Sequence, residues 1–167
     1  MPHSIETKNL LLRTMQADDL EDIALIWGSE DVMKYCGGPS TKVDIGHSIE
    51  AYRRLYDEKG YSTYTVLLKE SAHIIGVCGF NPTDHENEVE LLYHFNSNFW
   101  GKGYATEAAA ACIKDLQKRK ADIKKVKAAV DPNNPGSGKV LSKIGMVAKG
   151  MKWYEDTQQE ELVFELE

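Results

Sequence analysis

The 167-residue chain lacks any apolar run approaching the roughly 20 residues that a membrane-spanning helix needs. It is poor in cysteine: Cys36, Cys78 and Cys112 are odd in number, far apart and without a C-x-x-C spacing. That set argues against a disulfide framework and a structural zinc site, and the expectation is no metal and three reduced, mostly buried thiols. The opening MPHSIETKNL has no apolar signal core, so a cytoplasmic chain is expected. Positive charge is also short: 20 Lys and Arg against 26 Asp and Glu give a formal net charge of −6. Such a balance disfavours nonspecific nucleic-acid binding, which depends on neutralising phosphates. No repeat or low-complexity tract divides the chain. Hydrophobic residues at 42% and charged residues at 28% describe an ordinary globular composition. One domain, 1–167, as monomer or homodimer, is the organisation expected.

The periodicities alternate between helix and strand. Leu10-Leu11-Leu12-Arg13 reads as a first strand, and Leu20, Ile23, Ala24 and Trp27 form a helical stripe. Ser29 is placed to cap a short turn through Met33. Thr41 with Asp44 resembles a cap for a helix carrying Ile45, Ile49, Tyr52 and Leu55 up to Gly60. Residues 61–68, 74–80 and 88–95 read as an antiparallel meander, with Asn81-Pro82-Thr83-Asp84 as a turn. Tyr104 to Arg119 is a helix, 126–130 a strand, and Ser137 to Ile144 a short helix closed by Gly145. Residues 147–154 and 160–166 form a final hairpin. The strand–helix–strand order 88–95, 104–119, 126–130 implies one parallel pair with a right-handed crossover. The fold class expected is α/β (α+β): about seven mixed, mostly antiparallel strands with helices on both faces.

Two segments carry chemistry. Asn98-Phe99-Trp100-Gly101-Lys102-Gly103-Tyr104-Ala105-Thr106-Glu107 joins a strand to a helix N-terminus. The first amides of a helix lack internal partners, and the helix dipole adds positive character there. Gly101 and Gly103 let the backbone approach an anion, which makes a pyrophosphate cradle; the bland alternative is a tight turn. The nucleoside-triphosphate loop pattern is absent, because Gly101-Lys102 is followed by glycine, and Thr106 stands at the third glycine of the dinucleotide fingerprint. The second segment, Val130-Asp131-Pro132-Asn133-Asn134-Pro135-Gly136-Ser137, leaves the parallel neighbour strand and begins the next helix. Two parallel strands whose following helices diverge open a crevice at their C-terminal ends. Asn134 is placed to bond a ligand amide there. Ser137 taken alone reads as an N-cap on Val140.

Together, FWGKGYATEA and NNPGSGKVLSKIGM resemble the coenzyme A pyrophosphate loop and the following Asn-x-x-Ser helix of the GNAT superfamily of N-acetyltransferases. IETKNLLLRTMQADDLEDI, IIGVCGF and VELLYHF resemble the branch that includes ribosomal-protein N-terminal (alanine/serine) acetyltransferases. The resemblance covers nearly the whole chain and implies a sheet splayed between its fourth and fifth strands, 88–95 and 126–130. It implies acetyl-CoA as co-substrate, with Gly101, Lys102, Gly103, Tyr104, Ala105 and Thr106 on the pyrophosphate. Phe95 would pair its backbone with the pantetheine arm and help position the thioester oxygen. Asn134 and Ser137 would contact the pantetheine or its sulfur end. Asn98 and Met146 depart from the usual Gln/Arg and Phe. Leu141 stands where many members place the tyrosine that protonates the departing thiolate, so the resemblance itself supplies no general acid.

For amine acetylation a proton must leave the attacking nitrogen. Glu90 is the candidate base, acting through water, at a position where this branch often carries a carboxylate; the alternative is a solvated or salt-bridged strand residue. Alternation puts Glu88, Glu90 and His94 on one face if no bulge intervenes, so Glu88 and His94 are reserves. Ser137 is the candidate general acid, and Glu107 reads as a first-turn helix carboxylate. The acceptor, a protein N-terminus or a small amine, would meet residues 29–60 and 149–162, with Tyr35, Tyr52, Tyr56, Trp153 and Tyr154 as lining. Two other classes compete: a non-catalytic acyl-CoA-binding regulatory module, and a nucleotide-phosphate binder. Thiol release with a panel of amines separates the first from transfer, and ATP competition identifies the second.

Overall fold

A computed structural model describes residues 3–166. Eight strands form one sheet: β1 Ser4–Glu6, β2 Leu10–Thr14, β3 Thr63–Leu68, β4 Ile74–Pro82, β5 Glu88–Phe95, β6 Lys125–Val130, β7 Met146–Tyr154 and β8 Gln159–Leu166. Their spatial order is β1-β2-β3-β4-β5-β6-β8-β7. Among the described residues only the β5–β6 pair is parallel. The strand beyond the expected seven is β1, whose three residues are too few for periodicity to reveal. The expected turn at Asn81-Pro82 is instead the end of β4, where Asn81 and Pro82 face Glu90 and Val89.

Five helices cover the sheet: α1 Leu20–Trp27, α2 Glu30–Met33, α3 Lys42–Lys59, α4 Tyr104–Arg119 and α5 Pro135–Lys143. Local caps set their boundaries. Ser29 accepts from the Val32 amide at 3.3 Å and Thr41 from the Asp44 amide at 3.2 Å, each quieting an orphan donor. Gly60 and Gly145 close α3 and α5 with left-handed backbone. No helix of the described residues is long and apolar enough to cross a membrane.

Two apolar layers hold the sheet. Ala108, Ala109, Cys112 and Leu116 of α4 pack on Val89, Leu91 and Phe95 of β5, with Leu141 of α5 in the same core. On the opposite face Ile23, Ile26 and Trp27 of α1 and Ile45 and Ile49 of α3 pack around Val77. Small alanines let α4 lie close to the strands. Asp19, 2% exposed, ties this second layer down. Its carboxylate takes both Nη atoms of Arg13 at 2.8 and 2.9 Å, the Thr65 hydroxyl at 2.8 Å and the Gln16 amide at 2.9 Å. His3 also has a partner that its sequence neighbours do not disclose: its Nε2 lies 3.1 Å from Asp115 Oδ2, and its ring stacks on Tyr56.

Candidate active site

The sheet divides within the parallel β5–β6 pair. β5 and β6 are paired at Glu88–Lys125, Val89–Val126 and Glu90–Lys127, and no further. Beyond Glu90 the two strands separate toward their C-terminal ends, which is the expected splay. The Asn96 amide donates to Ile75 on β4, so by strand alternation the backbone groups of Leu91, Tyr93 and Phe95 face the opening. Phe95 is held by close packing: a Cβ added to Gly76 opposite would come 2.5 Å from its ring. Its carbonyl accepts from Trp100 Nε1 at 2.8 Å, which folds the turn after β5 back against the strand end.

The cradle stands at that end. The first helical bond of α4 runs from the Glu107 amide to the Gly103 carbonyl at 3.0 Å, so the amides of Tyr104, Ala105 and Thr106 precede the internal ladder. Gly103, the N-cap, supplies no side-chain acceptor. Gly101 and Gly103 have φ of +78° and +82°, and a Cβ at either would meet nothing within 4 Å. The concavity is therefore bare backbone open to a ligand, and the residues fit a diphosphate. Lys102 adds a cation beside it. Glu107 belongs to the scaffold: it accepts from the Thr7 hydroxyl and from Asn9 through its amide at 2.9 Å and Nδ2 at 2.8 Å.

On the other face of β5 the register is continuous from Gly76–Phe95 to Pro82–Val89, so Glu88, Glu90 and His94 do share one side. Their surroundings separate them. Glu88 forms an ion pair with Lys127 at 3.0 Å. Burial alone would raise its carboxyl, but that pair outweighs burial and holds it below the usual range. His94 Nδ1 accepts from Trp27 Nε1 at 3.0 Å, and burial pushes the imidazole down to about 4. Neither reserve is a free base. Glu90 accepts no hydrogen bond and forms no ion pair among the described residues. Burial, and the nearby carboxylates of Asp156 and Glu161, raise its pKa against the opposing pull of Lys127 and Lys152. It stands at the fork, on the wall of a cavity of about 460 Å³ shared with Lys127, Lys152 and Tyr154. The Trp27–His94 bond backs this face; Trp27→Phe leaves a buried acceptor unmatched and is expected to cost about 1–2 kcal/mol in a urea melt.

Across the opening, α5 begins two residues earlier than expected, at Pro135, with Asn134 as its N-cap in place of Ser137. Asn134 Oδ1 accepts from the Gly136 amide at 3.3 Å, and its Nδ2 donates to Ser137 Oγ at 3.0 Å. Proline at N1 favours that early start. Ser137 thus lies inside the first turn, where its hydroxyl is oriented by Asn134 rather than engaged in capping Val140. Leu141 is fully buried in the core. A phenol reaches the same helix end from the strand: Tyr93 donates to the Ser137 carbonyl at 3.0 Å. Burial raises that phenol well above its ordinary range. Cys36, just past α2, has its thiol pushed up to about 11 by burial, then by Glu161 and Asp131.

The five aromatic candidates for the acceptor side divide. Tyr154 lines the cavity, with its hydroxyl buried and unpartnered. Tyr52 donates to Asn81 Oδ1 at 2.7 Å, opposite Glu90. Tyr56 packs instead against His3 and Tyr64, Trp153 is half exposed, and Tyr35 lies under the Lys34 ammonium. Sequence reasoning passed over Glu161, which looks like an outward residue alternating with Leu162. It is 7% exposed and accepts from Thr157 and Gln159.

Comparison with known proteins supplies the family. Residues 9–147 match the model of the acetyltransferase (GNAT) domain. An uncharacterized N-acetyltransferase p20 of Bacillus licheniformis is 31% identical over 151 residues, covering 89% of this chain and 84% of that protein. A GNAT-family acetyltransferase structure from Bacillus anthracis superposes with a TM-score of 0.85 at 26% identity, covering 98% of both chains. The ribosomal L7/L12 α-N-protein acetyltransferase RimL, solved in complex with coenzyme A, shares the fold at a TM-score of 0.83 and 15% identity, covering 98% of this chain and 97% of that one. With a bare-backbone cradle, a divided parallel pair and a domain model spanning both, the chain belongs to the GNAT family of N-acetyltransferases.

Proposed function

We propose that this chain transfers acetyl from acetyl-CoA directly to a primary amine, with Glu90 as general base. The observation that carries the reading is the end of β5–β6 pairing at Glu90–Lys127, which puts an unpaired carboxylate at the fork of an opening that leads to the cradle. Gly101, Lys102, Gly103, Tyr104, Ala105 and Thr106 hold the diphosphate; Asn134 and Ser137 hold the pantetheine from the α5 side. Phe95 and its alternate neighbour Tyr93 offer the arm their edge backbone groups. Acetyl-CoA supplies an activated thioester, so no covalent intermediate on the protein is needed. The residues supply alignment, which is worth about 7–11 kcal/mol of a bimolecular barrier, and proton removal. Glu90, uncommitted to any cation and raised by burial, takes the amine proton through water. Ser137, its hydroxyl oriented by Asn134, is the proposed proton source for the departing thiolate. A thiol's pKa near 8.5 makes that donation helpful rather than essential.

The burial of Leu141 favours a second reading, an acyl-CoA-binding module without turnover, because no helix tyrosine is available there. Calorimetry with coenzyme A, followed by thiol release from acetyl-CoA with an amine panel, separates the two: binding without release supports the module, and no binding overturns both. Gly103→Ala tests the cradle. An L side chain disfavours left-handed backbone by roughly 1–2 kcal/mol. The free loop then relaxes out of the binding shape, and coenzyme A affinity is expected to fall about tenfold by calorimetry.

A further inference from the structure

The cavity beside Glu90 has a charge pattern that selects its occupant. Its cations are largely committed: Lys127 to Glu88 at 3.0 Å, Lys125 to Glu165 at 3.4 Å, while Lys152 lies 5.5 Å from the centre of the Tyr154 ring. Two carboxylates here form no ion pair within 4 Å among the described residues: Glu90 on the cavity wall, and Glu161 on β8, two residues before the cavity residue Val163. Glu161 is opposite Lys152 in the β7–β8 register, one residue beyond the last β6–β8 pair, Val130–Leu162. It therefore stands level with the opening between β5 and β6. Thr157 and Gln159 both donate to its Oε2, which leaves Oε1 without a donor among the described residues. The Tyr154 hydroxyl, buried without a partner, adds another acceptor.

Acceptors without donors call for an ammonium, which brings three donors and no acceptor. A carboxylate buried without a counter-charge is costly, and a bound cation relieves that cost. The reacting nitrogen cannot serve, because it must be neutral when it attacks. The compensating charge has to come from another nitrogen. We infer that the acceptor carries two amines, one presented to Glu90 for acetylation and one held as an ammonium by Glu161 and the Tyr154 hydroxyl. A diamine or longer polyamine fits this site, and an amine bearing a carboxylate does not. The inference rests on the acetyl-transfer reading above and names its substrate class.

The test is acetyl-CoA turnover with matched four-carbon amines: 1,4-diaminobutane, butylamine and 4-aminobutanoate, with diamines of three to six carbons setting the span. Expected is a kcat/KM for the best diamine at least about tenfold above butylamine, with 4-aminobutanoate the poorest, as a charged hydrogen bond implies. Glu161→Gln should lower kcat/KM about tenfold more for the diamine than for butylamine, a ratio that cancels any change in Glu90 common to both amines. Lys152→Met, at an exposed position, should improve the diamine by removing a like charge. Equal use of the three amines, preference for 4-aminobutanoate, or refusal of every diamine by protein that binds coenzyme A would overturn the inference. So would an equal loss for all amines in Glu161→Gln. Failure to bind coenzyme A at all would instead bring down the transferase reading beneath it.

Discussion

Glu90→Gln is expected to lower turnover about 100- to 10,000-fold, the usual contribution of a positioned general base, with coenzyme A affinity nearly unchanged. Glutamine keeps the shape of the side chain and removes only its ability to take a proton. The pH dependence makes the test specific. Burial and the Asp156 and Glu161 carboxylates place the Glu90 titration above its ordinary 4.5. The wild-type kcat/KM should therefore rise with pH through a limb above pH 4.5 that the variant lacks; the amine's own titration persists in both. Stability should move the other way. A carboxyl whose folded pKa is raised stabilises the fold fully below its unfolded pKa, and that contribution is lost as pH rises through the folded value. At neutral pH the ionised Glu90 is a liability, so Glu90→Gln should melt higher than wild type. A variant that keeps the wild-type pH–rate profile removes Glu90 from the mechanism.

Asp19→Ala is expected to destabilise the fold by about 3–5 kcal/mol, read as a lower urea midpoint with an unchanged slope. Burial by itself raises the Asp19 carboxyl, but the Arg13 pair, the Gln16 amide and the Thr65 hydroxyl more than reverse this and hold it below 3.8. Truncation leaves the Arg13 guanidinium, only 18% exposed, without its partner. Because the folded pKa is depressed, the stabilisation is present above pH 3.8 and disappears as pH falls through the folded value. The variant should accordingly show a weaker acid dependence below pH 4. A loss under about 1 kcal/mol would mean that Arg13 finds another partner or reaches water. The expected loss reaches the site indirectly, since Asp19 is the N-cap residue of α1, which ends at Trp27, whose indole holds His94.

The two carboxylates at the fork show where reading a chain stops. Glu90 was visible as a strand residue ahead of the cradle, and its alternation with Glu88 and His94 was correct because β5 has no bulge. What separates the three is non-local: Lys127 comes from β6, 39 residues from its neutralised partner Glu88, and Trp27 comes from α1. Glu161 was invisible for the same reason. Its alternation with Leu162 is correct, yet the face it shares with Val163 is closed over at that point. Leu141 was assigned by motif position, and only packing against the sheet shows that it belongs to the core.

Cradle glycines, the Thr41 and Ser29 caps, α4 from Tyr104 to Arg119 and the order of strands rest on interactions within a few residues of chain, and these were legible from residue types alone. The Asn134 cap and the early start of α5 are equally local, but Asn134 and Ser137 both offer a capping oxygen, and proline at N1 favours the earlier one. Which carboxylate is left unpaired and which phenol reaches α5 depend on strands and helices brought together from distant parts of the chain. Short-range hydrogen bonds are written in neighbouring residues; the charge and solvation of a side chain are set by whatever the completed fold places against it.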